Sequence, residues 1–273
     1  MVNSDLFDLT DRVVVITGAA GLLGHQHALA VGRAGGIPVL LDIVPEALTS
    51  VTHQLDAESI EHLSIEVDLT SEEEISNATD QIQSRFGAVW GLVNNVASNP
   101  PMGPAAQGTD RLENFPLDQW DHDIRLGLTS AYLCSRYFGG SMAQAGSGSI
   151  VNIASDLALI SPDQRMYAVG LPEGSSAPIK PVSYSVVKSG LLGLTRYLAT
   201  YWSPLPVRCN ALLPGSVGGT QGPELVGELT QRIPLARLAR ADEYQGALVF
   251  LLSDASSYMT GASLVMDGGR TAW

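Results

Sequence analysis

Short apolar runs alternate with longer amphipathic stretches along the whole chain. Short apolar runs are typical of buried strands, and apolar positions three and four apart are typical of helices. The pattern predicts repeated strand–helix units that wind into one parallel sheet with helices on both faces. The predicted strands lie at 12–17, 37–42, 63–67, 89–94, 149–154, 207–213 and 263–266. The predicted helices lie near 22–34, 45–55, 71–86, 117–145, 183–202 and 242–253.

The order of these elements is not interrupted by a repeat, a charge block or a low-complexity linker. With 273 residues, of which 45% are hydrophobic, the chain can form one large core, so we predict a single domain over residues 1–273. No apolar run of membrane-spanning length occurs, and the first twelve residues lack the basic and apolar regions of a signal peptide. We therefore expect a cytoplasmic protein without a membrane partner.

Charge and cysteine content exclude several classes of function. Acidic residues outnumber basic ones by 28 to 15, and a formal charge of −13 repels nucleic acid. The only cysteines, Cys134 and Cys209, lie in apolar stretches, so we expect them to be reduced and buried. His25 and His27 lack the spacing and neighbours of a metal-ligand set. We therefore expect no metal and interpret both histidines as helix-surface residues.

A glycine-rich segment joins the first predicted strand to the first predicted helix. Gly18, Gly21 and Gly24 let the backbone turn sharply and approach a pyrophosphate, whose charge the helix N-terminus stabilises. Leu22 and Leu23 open that helix and present its first backbone N–H groups. A strand before the glycines and a helix after them predict a Rossmann-type dinucleotide site.

Asp42 ends the second predicted strand, 18 residues after Gly24. An acidic residue near this separation binds the ribose hydroxyls of adenosine and repels a 2′-phosphate. We therefore expect NAD as the cofactor rather than NADP. The alternative is that Asp42 only forms a turn.

Lysine is rare in this chain, and one of its two lysines, Lys188, lies four residues after Tyr184. Positions four apart share a helix face, so the ammonium can stabilise the deprotonated phenol. A phenol tuned in this way is a candidate general acid and base. Tyr167 is a weaker candidate, because Leu171 rather than a lysine follows it at that spacing.

Around these residues the chain resembles the short-chain dehydrogenase/reductase family, nearly from end to end. The matching segments are Thr17-Gly18, Val67-Asp68-Leu69, Asn94-Asn95-Val96-Ala97, Ser149 to Ser155, Tyr184 with Lys188, Asn210 to Gly215, Tyr258 to Gly261 and Met266 to Gly269. The resemblance implies a single doubly wound Rossmann-type α/β domain with a seven-stranded parallel sheet. It also implies cofactor contacts from Asp68, Leu69, Asn94, Asn95, Val96, Tyr184, Lys188, Pro214, Gly215 and Val217.

What the resemblance implies chemically is hydride transfer between nicotinamide and a carbon that bears an alcohol or a ketone. Tyr184 exchanges the proton of the oxygen, Ser155 hydrogen-bonds that oxygen, and Lys188 binds the ribose and lowers the pKa of the phenol. The free phenol, with a pKa of about 10, is too weak an acid for this role at neutral pH without help. Family members commonly form tetramers, so we expect a homotetramer.

The sequence departs from the family pattern in its glycine spacing and at Gly127. Leu22 stands where the family has its second glycine, which changes the backbone amides that face the phosphates. Gly127 stands where the family has a catalytic asparagine that helps to hold a proton-relaying water. We hypothesise that an added water or a substrate group fills the vacated space and that the helix bends there. The alternative is that the relay is dispensable.

A third departure is an insertion at 156–182, since Tyr184 lies 29 positions after Ser155, roughly twice the usual family spacing. Its prolines and glycines predict a structured loop that begins and ends at the active site. We therefore expect substrate contacts from residues at and after its start: Ser155, Asp156, Gln164, Arg165 and Tyr167. The alternative is that the insertion forms an oligomer contact or a surface ornament.

Finer resemblance concerns residues 111–117, 127–129, 194–202 and 271–273, which look like a bacterial subgroup from flagellin-modification and surface-polysaccharide sugar pathways. This likeness implies a sugar or nucleotide-sugar substrate. A polyol, a sugar acid and a 3-oxoacyl thioester are the alternatives, because the net negative charge disfavours a nucleotide diphosphate. A sensor or scaffold that binds NAD without turnover is the alternative outside enzymes.

Overall fold

The computed structural model describes residues 4–98, 111–172, 175–219 and 221–273, and its centre is a parallel sheet. The seven strands lie in the order β3-β2-β1-β4-β5-β6-β7. They are β1 (Val13–Thr17), β2 (Ile37–Asp42), β3 (Leu63–Glu66), β4 (Gly91–Asn94), β5 (Gly148–Ile153), β6 (Val207–Pro214) and β7 (Ser263–Met266). All seven strands were predicted, and each pair is parallel. The predicted fold class is therefore confirmed.

Helices cover both faces of the sheet, as the strand–helix alternation predicted. They are α1 (Leu22–Arg33), α2 (Pro45–Ala57), α3 (Glu72–Phe86), α4 (Leu117–Ile124), α5 (Ser130–Ala145), α6 (Val182–Tyr201), α7 (Pro223–Gln231) and α8 (Gln245–Leu252). Two features differ from the prediction. A π-helical segment separates α4 from α5, and α7 was not predicted.

The sheet separates two apolar cores. Val14 and Ile16 of β1 face a core shared with α1, α2 and α8, whereas Val13 and Val15 face a core shared with α3 and α5. This alternation follows from the two-residue period of a strand. The central strands β1, β5 and β6 are buried on both faces, so they read as continuous apolar runs rather than as alternating ones.

Strand order reverses at β1, whose neighbours are β2 on one side and β4 on the other. In open parallel sheets a crevice forms at the carboxyl ends of the strands where the order reverses. The segment after β1, residues 18–21, and the segment after β4, which begins at Asn95, therefore meet at this edge of the sheet.

The burial of two cysteines and two histidines can be compared with the prediction. Cys134 and Cys209 are buried free thiols, as predicted. His25 is partly exposed and bonds Gln54 at 2.9 Å, but His27 is fully buried and was wrongly interpreted as a surface residue. His27 is one of the buried residues of α1, and burial lowers its pKa to about 3. A neutral imidazole packs there as an apolar group.

The inserted segment consists of loop and two short 3₁₀ helices, Asp156–Ala158 and Gln164–Ala168, apart from residues 173 and 174, which lie outside the described residues. The predicted structured loop is therefore present without a long helix. In the part of the chain that the structure describes, no helix is both long and apolar enough to span a bilayer. The same part contains no cluster of three or more His, Cys, Asp or Glu side chains that could hold a metal ion.

Candidate active site

The glycine-rich segment after β1 is fixed by close backbone contacts. Gly18 has φ of +63°, a left-handed conformation that favours glycine. Gly24 lies against it, and a Cβ at Gly24 would lie 2.1 Å from the Gly18 carbonyl oxygen. The side chain of Asn95 donates to the carbonyls of Thr17 and Gly18 at 3.1 and 3.0 Å. Asn95 therefore holds the turn from β4, the neighbouring strand.

The N-terminus of α1 is open toward the same crevice. Its N-cap, Gly21, makes no side-chain capping bond, and its first turn has no acidic residue. Leu22 is exposed there and Leu23 is partly exposed. Unpaired N–H groups and the helix dipole at such a terminus favour an anion.

Asp42 lies at the end of β2 beside this turn. One carboxylate oxygen accepts the N–H of Ala20 at 2.9 Å, and the other accepts the N–H of Val44 at 3.2 Å. Asp42 therefore joins the glycine turn to the end of β2, which the turn-former alternative also predicts. Asp68 lies two residues after the end of β3, and one of its carboxylate oxygens accepts the N–H and the hydroxyl of Thr70, each at 2.8 Å. Leu69 is buried.

A buried polar network links the ends of the central strands to the helices behind them. The Asn94 amide donates to Asn152 at 2.8 Å and to Ser135 at 3.2 Å, and Asn152 donates to Thr195 at 2.8 Å. These bonds tie β4 and β5 to α5 and α6. Among the described residues, the buried Oδ1 atom of Asn94 has no hydrogen-bond partner. Asn94 thus links β4 to β5 and α5.

Ser155, Tyr184 and Lys188 converge beyond the carboxyl end of β5. Ser155 follows β5, and the other two lie on the first turns of α6. Nζ of Lys188 donates to the carbonyl oxygen of Ile153 at 2.7 Å and lies 5.8 Å from the centroid of the Tyr184 ring. The Ser155 hydroxyl lies near enough to the Tyr184 phenol to lower its pKa by hydrogen bonding. All three predicted catalytic side chains therefore meet in one buried cluster.

The electrostatics of this cluster differ from the expectation for Tyr184. Burial raises the pKa of its phenol, although the hydrogen bond from Ser155 opposes this effect. Burial also lowers the pKa of Lys188 to about 8. The expected lowering of the phenol pKa by Lys188 is therefore not the dominant effect on Tyr184. Desolvation disfavours the charged form of both groups.

Asp156 connects Ser155 to the end of the chain. Its Oδ1 atom accepts from the Ser155 hydroxyl at 2.9 Å, and its Oδ2 atom accepts from Nη1 of Arg270 at 2.8 Å. Both side chains of this ion pair are at least 95% buried. The predicted substrate residue Asp156 is therefore committed to a buried pair, and Ser155 lies between its carboxylate and the phenol.

The remaining predicted substrate residues divide into two groups. Tyr167 is partly buried and within electrostatic range of Tyr184, Asp156 and Arg270, and burial raises its pKa to about 12. Arg165 instead has 88% of its side chain exposed and pairs with Asp163, so the structure does not bring it into the cluster. A guanidinium is strongly solvated, and Asp163 lies within reach at the surface.

Gln164 does not point its amide at an open pocket. Its Oε1 atom accepts the N–H of Lys180 at 2.9 Å, and its Nε2 atom donates to the carbonyl of Lys180 at 3.3 Å. Gln164 therefore links the early part of the inserted segment to its end. It was predicted as a substrate contact, and the structure gives it a bracing role.

Two residues of the cluster were not predicted, Lys180 and Arg270. Nζ of Lys180 lies 3.8 Å from the Tyr184 ring centroid. The rarity of lysine was a usable signal, because the chain has two lysines and they stand four residues before and four after Tyr184. Arg270 had no such signal, since its partner is 114 positions away in the sequence.

Gly127 lies in the π-helical segment Arg125–Thr129, so the expected helix distortion is present. The hypothesis that a water or a substrate group fills the space beside it stays a prediction, but a side chain takes part of that space. A Cβ at Gly127 would lie 2.5 Å from Cγ1 of Val187, which stands next to Lys188 on α6. Val187 is buried and occupies this space, so glycine is the residue that lets the two helices approach.

The segment after β6 has the same close packing as the glycine turn. Gly215 donates its N–H to the carbonyl of Met266, and a Cβ at Gly215 would lie 2.7 Å from Cα of Asp267. Pro214 ends β6, and Val217 pairs with Ala239 in an isolated bridge. These contacts shape a wall at the carboxyl ends of β6 and β7.

The crevice as a whole fits a dinucleotide. A glycine-rich turn, an uncapped helix N-terminus and a carboxylate at the end of β2 can supply a pyrophosphate cradle and a ribose acceptor. The cluster of Ser155, Tyr184 and Lys188 lies at the end of β5, on the other side of the strand-order reversal. The residues present therefore suit NAD or NADP as a hydride carrier.

Comparison with known proteins supports this interpretation. The family model for short chain dehydrogenases matches residues 12–169, and one described as enoyl-(acyl carrier protein) reductase matches residues 174–271. The NAD-dependent glycerol dehydrogenase of Listeria innocua is 30% identical, and the match covers 97% of this chain and 96% of that protein. The D-threitol dehydrogenase of Mycolicibacterium smegmatis is 31% identical, with 97% and 95% covered.

A solved structure extends the likeness to three dimensions. A putative NAD(P)-dependent gluconate 5-dehydrogenase from Beutenbergia cavernae, with bound NADP at low occupancy, superposes with a TM-score of 0.82 at 30% identity. The match covers 98% of this chain and all of that one. The fold, the convergent cluster and these matches lead to one conclusion: the chain belongs to the short-chain dehydrogenase family and is an oxidoreductase.

Proposed function

We propose that this enzyme is an NAD-dependent dehydrogenase that acts on a secondary alcohol, or the matching ketone, of a sugar, polyol or sugar acid. The observation that carries the proposal is the convergence of Ser155, Tyr184 and Lys188 at the end of β5. Such a cluster can hold one substrate oxygen and exchange its proton, which is the chemistry that hydride transfer at an alcohol carbon needs.

The chain's own residues perform the proton transfer. Tyr184 takes the proton of the substrate hydroxyl in the direction of oxidation and returns it in the direction of reduction. Ser155 hydrogen-bonds the same oxygen, and Asp156 orients the Ser155 hydroxyl at 2.9 Å. Lys188 is held by the carbonyl of Ile153 and binds the nicotinamide ribose. The bound nicotinamide supplies the hydride acceptor or donor.

Asp42 supports NAD as the cofactor. Its carboxylate stands at the end of β2 beside the glycine turn, where a 2′-phosphate would meet a negative charge. The relatives differ in their cofactors, since the glycerol dehydrogenase is named as NAD-dependent and the gluconate 5-dehydrogenase holds NADP. The choice for this chain therefore depends on its own carboxylate.

The names of the relatives support a polyhydroxylated substrate. Glycerol, D-threitol and gluconate each present neighbouring hydroxyl groups on a short chain of carbons. We favour this class over a 3-oxoacyl thioester and over the narrower flagellin or polysaccharide pathways. We also infer a cytoplasmic homotetramer, and the exposed rings of Tyr197 and Tyr201 on α6 supply an apolar surface for such an assembly.

The test is turnover by purified enzyme with a panel of polyols, sugars and sugar acids, each with NAD and with NADP. We expect formation of NADH with at least one polyol or sugar acid and a higher kcat/KM with NAD. Asp42→Ala should lower the preference for NAD by roughly tenfold or more, because repulsion of the 2′-phosphate is lost. Binding of NAD without turnover of any compound would overturn the proposal in favour of a sensor.

A further inference from the structure

The second lysine of the chain lies directly on the ring of the predicted base. Nζ of Lys180 is 3.8 Å from the centroid of the Tyr184 ring, compared with 5.8 Å for Nζ of Lys188. A cation within about 6 Å of an aromatic face is attracted by the electron density of the ring. Both lysines of a chain with formal charge −13 therefore surround one phenol.

The inserted segment fixes the main chain of Lys180. Gln164 bonds both its N–H and its carbonyl, at 2.9 and 3.3 Å. The next residue, Pro181, is the N-cap of α6, so Lys180 stands one residue before the helix that carries Tyr184. The side chain is half-buried rather than extended into solvent. Its position over the ring is therefore set by the fold.

We propose that Lys180 is a positioning residue of the reaction, whose ammonium lies on the face of the Tyr184 ring and stabilises the phenolate that takes the substrate proton. The proposal rests on the proposed role of Tyr184 as the base. In that step the substrate O–H bond breaks, its proton passes to the phenolate oxygen, and the hydride leaves the carbon for the nicotinamide. Lys180 acts through Tyr184 and forms no covalent bond in the step.

Geometry makes the electrostatic effect strong enough to measure. The ammonium lies 3.8 Å from the centroid of the ring that carries the phenolic oxygen. Opposite charges within about 4–6 Å favour each other's charged form and lower the pKa of an acid by roughly one unit or more. The ring and Lys180 are both partly or fully removed from water, so this attraction is weakly screened.

Other groups face the phenol from several elements, and their effects have known signs. Asp156 disfavours the phenolate, while Arg270 is paired with that carboxylate. Tyr167 adds a second phenol from the inserted segment. The groups that face Tyr184 or its first helical turn are Ser155, Asp156 and Tyr167 after β5, Asp123 on α4 through Ser183, Lys188 on α6 and Arg270 in the tail.

Burial and charge shift the titration of both lysines. Burial lowers the pKa of Lys180 to about 8, although Asp156 opposes the effect. Burial and the nearby charge of Lys180 together lower the pKa of Lys188 to about 8. Lys180 is therefore an ammonium at neutral pH, where it lies on the Tyr184 ring. Under the proposal, removal of this charge raises the pH at which the phenolate forms.

The test compares Lys180→Met and Lys180→Arg with the wild type. For alcohol oxidation, the profile of kcat/KM against pH should rise about one pH unit later in Lys180→Met. Lys180→Arg should recover most of this shift, because a cation remains over the ring. Arg196→Met is the matched control, since it removes a positive charge from an exposed position of the same helix. Its profile should superpose on that of the wild type.

A second readout needs no substrate. The ultraviolet absorbance of tyrosinate is titrated in each protein and in its Tyr184→Phe counterpart, and the difference isolates Tyr184 from the seven other tyrosines. Lys180→Met should again shift this difference to higher pH. If no compound of the panel is turned over, the proposed function fails, but the absorbance titration still decides the role of Lys180.

Two outcomes would overturn the inference. One is a kcat/KM of Lys180→Met that falls equally at every pH, with the tyrosinate titration unmoved, because a purely structural support would act in that way. The other is an equal shift in Arg196→Met. If Lys180→Met does not fold, Gln164→Leu replaces it, because loss of both bonds to the Lys180 main chain should give a smaller shift of the same sign.

Discussion

The nucleotide half of the crevice and the catalytic half are built in different ways. Around the glycine turn, position is set by backbone packing within residues 13–24, helped by Asn95 and Asp42. Around Tyr184, position is set by side chains that meet from β5, the insertion, α6 and the tail. The first half depends on the absence of Cβ atoms, and the second depends on paired charges and hydrogen bonds.

This contrast predicts that a substitution in one half impairs the property of that half, NAD affinity or turnover, and leaves the property of the other half intact. Variants of the catalytic half should lose turnover or stability while NAD still binds. Variants of the glycine turn should lose NAD affinity first. Four substitutions test this separation, and each has a control in the same chain.

Tyr184→Phe should have the largest effect, a loss of roughly 10²–10⁴-fold in kcat, because the acid/base group is removed. Affinity for NAD, measured by tryptophan fluorescence, should be nearly unchanged. Tyr258→Phe is the control and should keep most of the activity, because that side chain is fully exposed. In the wild type, oxidation should speed up toward alkaline pH, since the base must be deprotonated and burial raises its pKa. Near-normal turnover in Tyr184→Phe would refute the assignment.

Arg270→Met should be the most destabilising substitution in the catalytic half. It leaves the buried Asp156 carboxylate without its cation, and loss of one partner of a buried pair costs about 3–5 kcal/mol. Urea unfolding measures this cost. The double variant Asp156→Asn/Arg270→Met should be more stable than Arg270→Met, because no unpaired charge remains. Arg165→Met should change stability little, since its ion pair is exposed. Equal stability of Arg270→Met and Arg165→Met would contradict the role of the buried pair.

Gly24→Ala should weaken NAD binding more than it weakens the fold. The added Cβ would lie 2.1 Å from the Gly18 carbonyl oxygen, so the turn must move, at a cost of about 1–3 kcal/mol. Gly193→Ala is the control, because its Cβ meets nothing within 4 Å, and alanine should stabilise that helix by about 0.5–1 kcal/mol. Isothermal calorimetry with NAD compares the two. An unchanged Kd in Gly24→Ala would show that the turn is not the cradle.

Gly127→Asn should have the smallest effect, and it tests the boundary between the halves. The Cβ of the family's asparagine would lie 2.5 Å from Cγ1 of Val187, which predicts a loss of about 1–3 kcal/mol in stability. Val187→Ala in the same chain should recover part of this loss by removing the clashing methyl groups. Thermal unfolding of the single and double variants measures the coupling. Independent, additive effects would show that the two side chains do not compete for space.

The same contrast explains how much the sequence could predict. The seven strands and the glycine turn were predictable, because a strand's period and a turn's glycines are local signals. The close packing of Val187 against Gly127, which leaves no room for a Cβ, was not predictable, since it depends on how α6 packs against the π-helical segment. The same holds for Arg270, whose partner Asp156 is distant in sequence. Arg165 was predicted to contact the substrate but lies exposed at the surface, because residue type alone does not show which side of a loop faces solvent.

The ion pair between Asp156 and Arg270 also bears on how the chain acquires activity. The glycine turn, β2 and β4 lie within the first 95 residues, so the parts that hold the turn are synthesised early. The carboxylate beside Ser155 meets its guanidinium only after 114 further positions have been made. The cluster around Tyr184 is therefore completed late in synthesis, when Arg270 arrives.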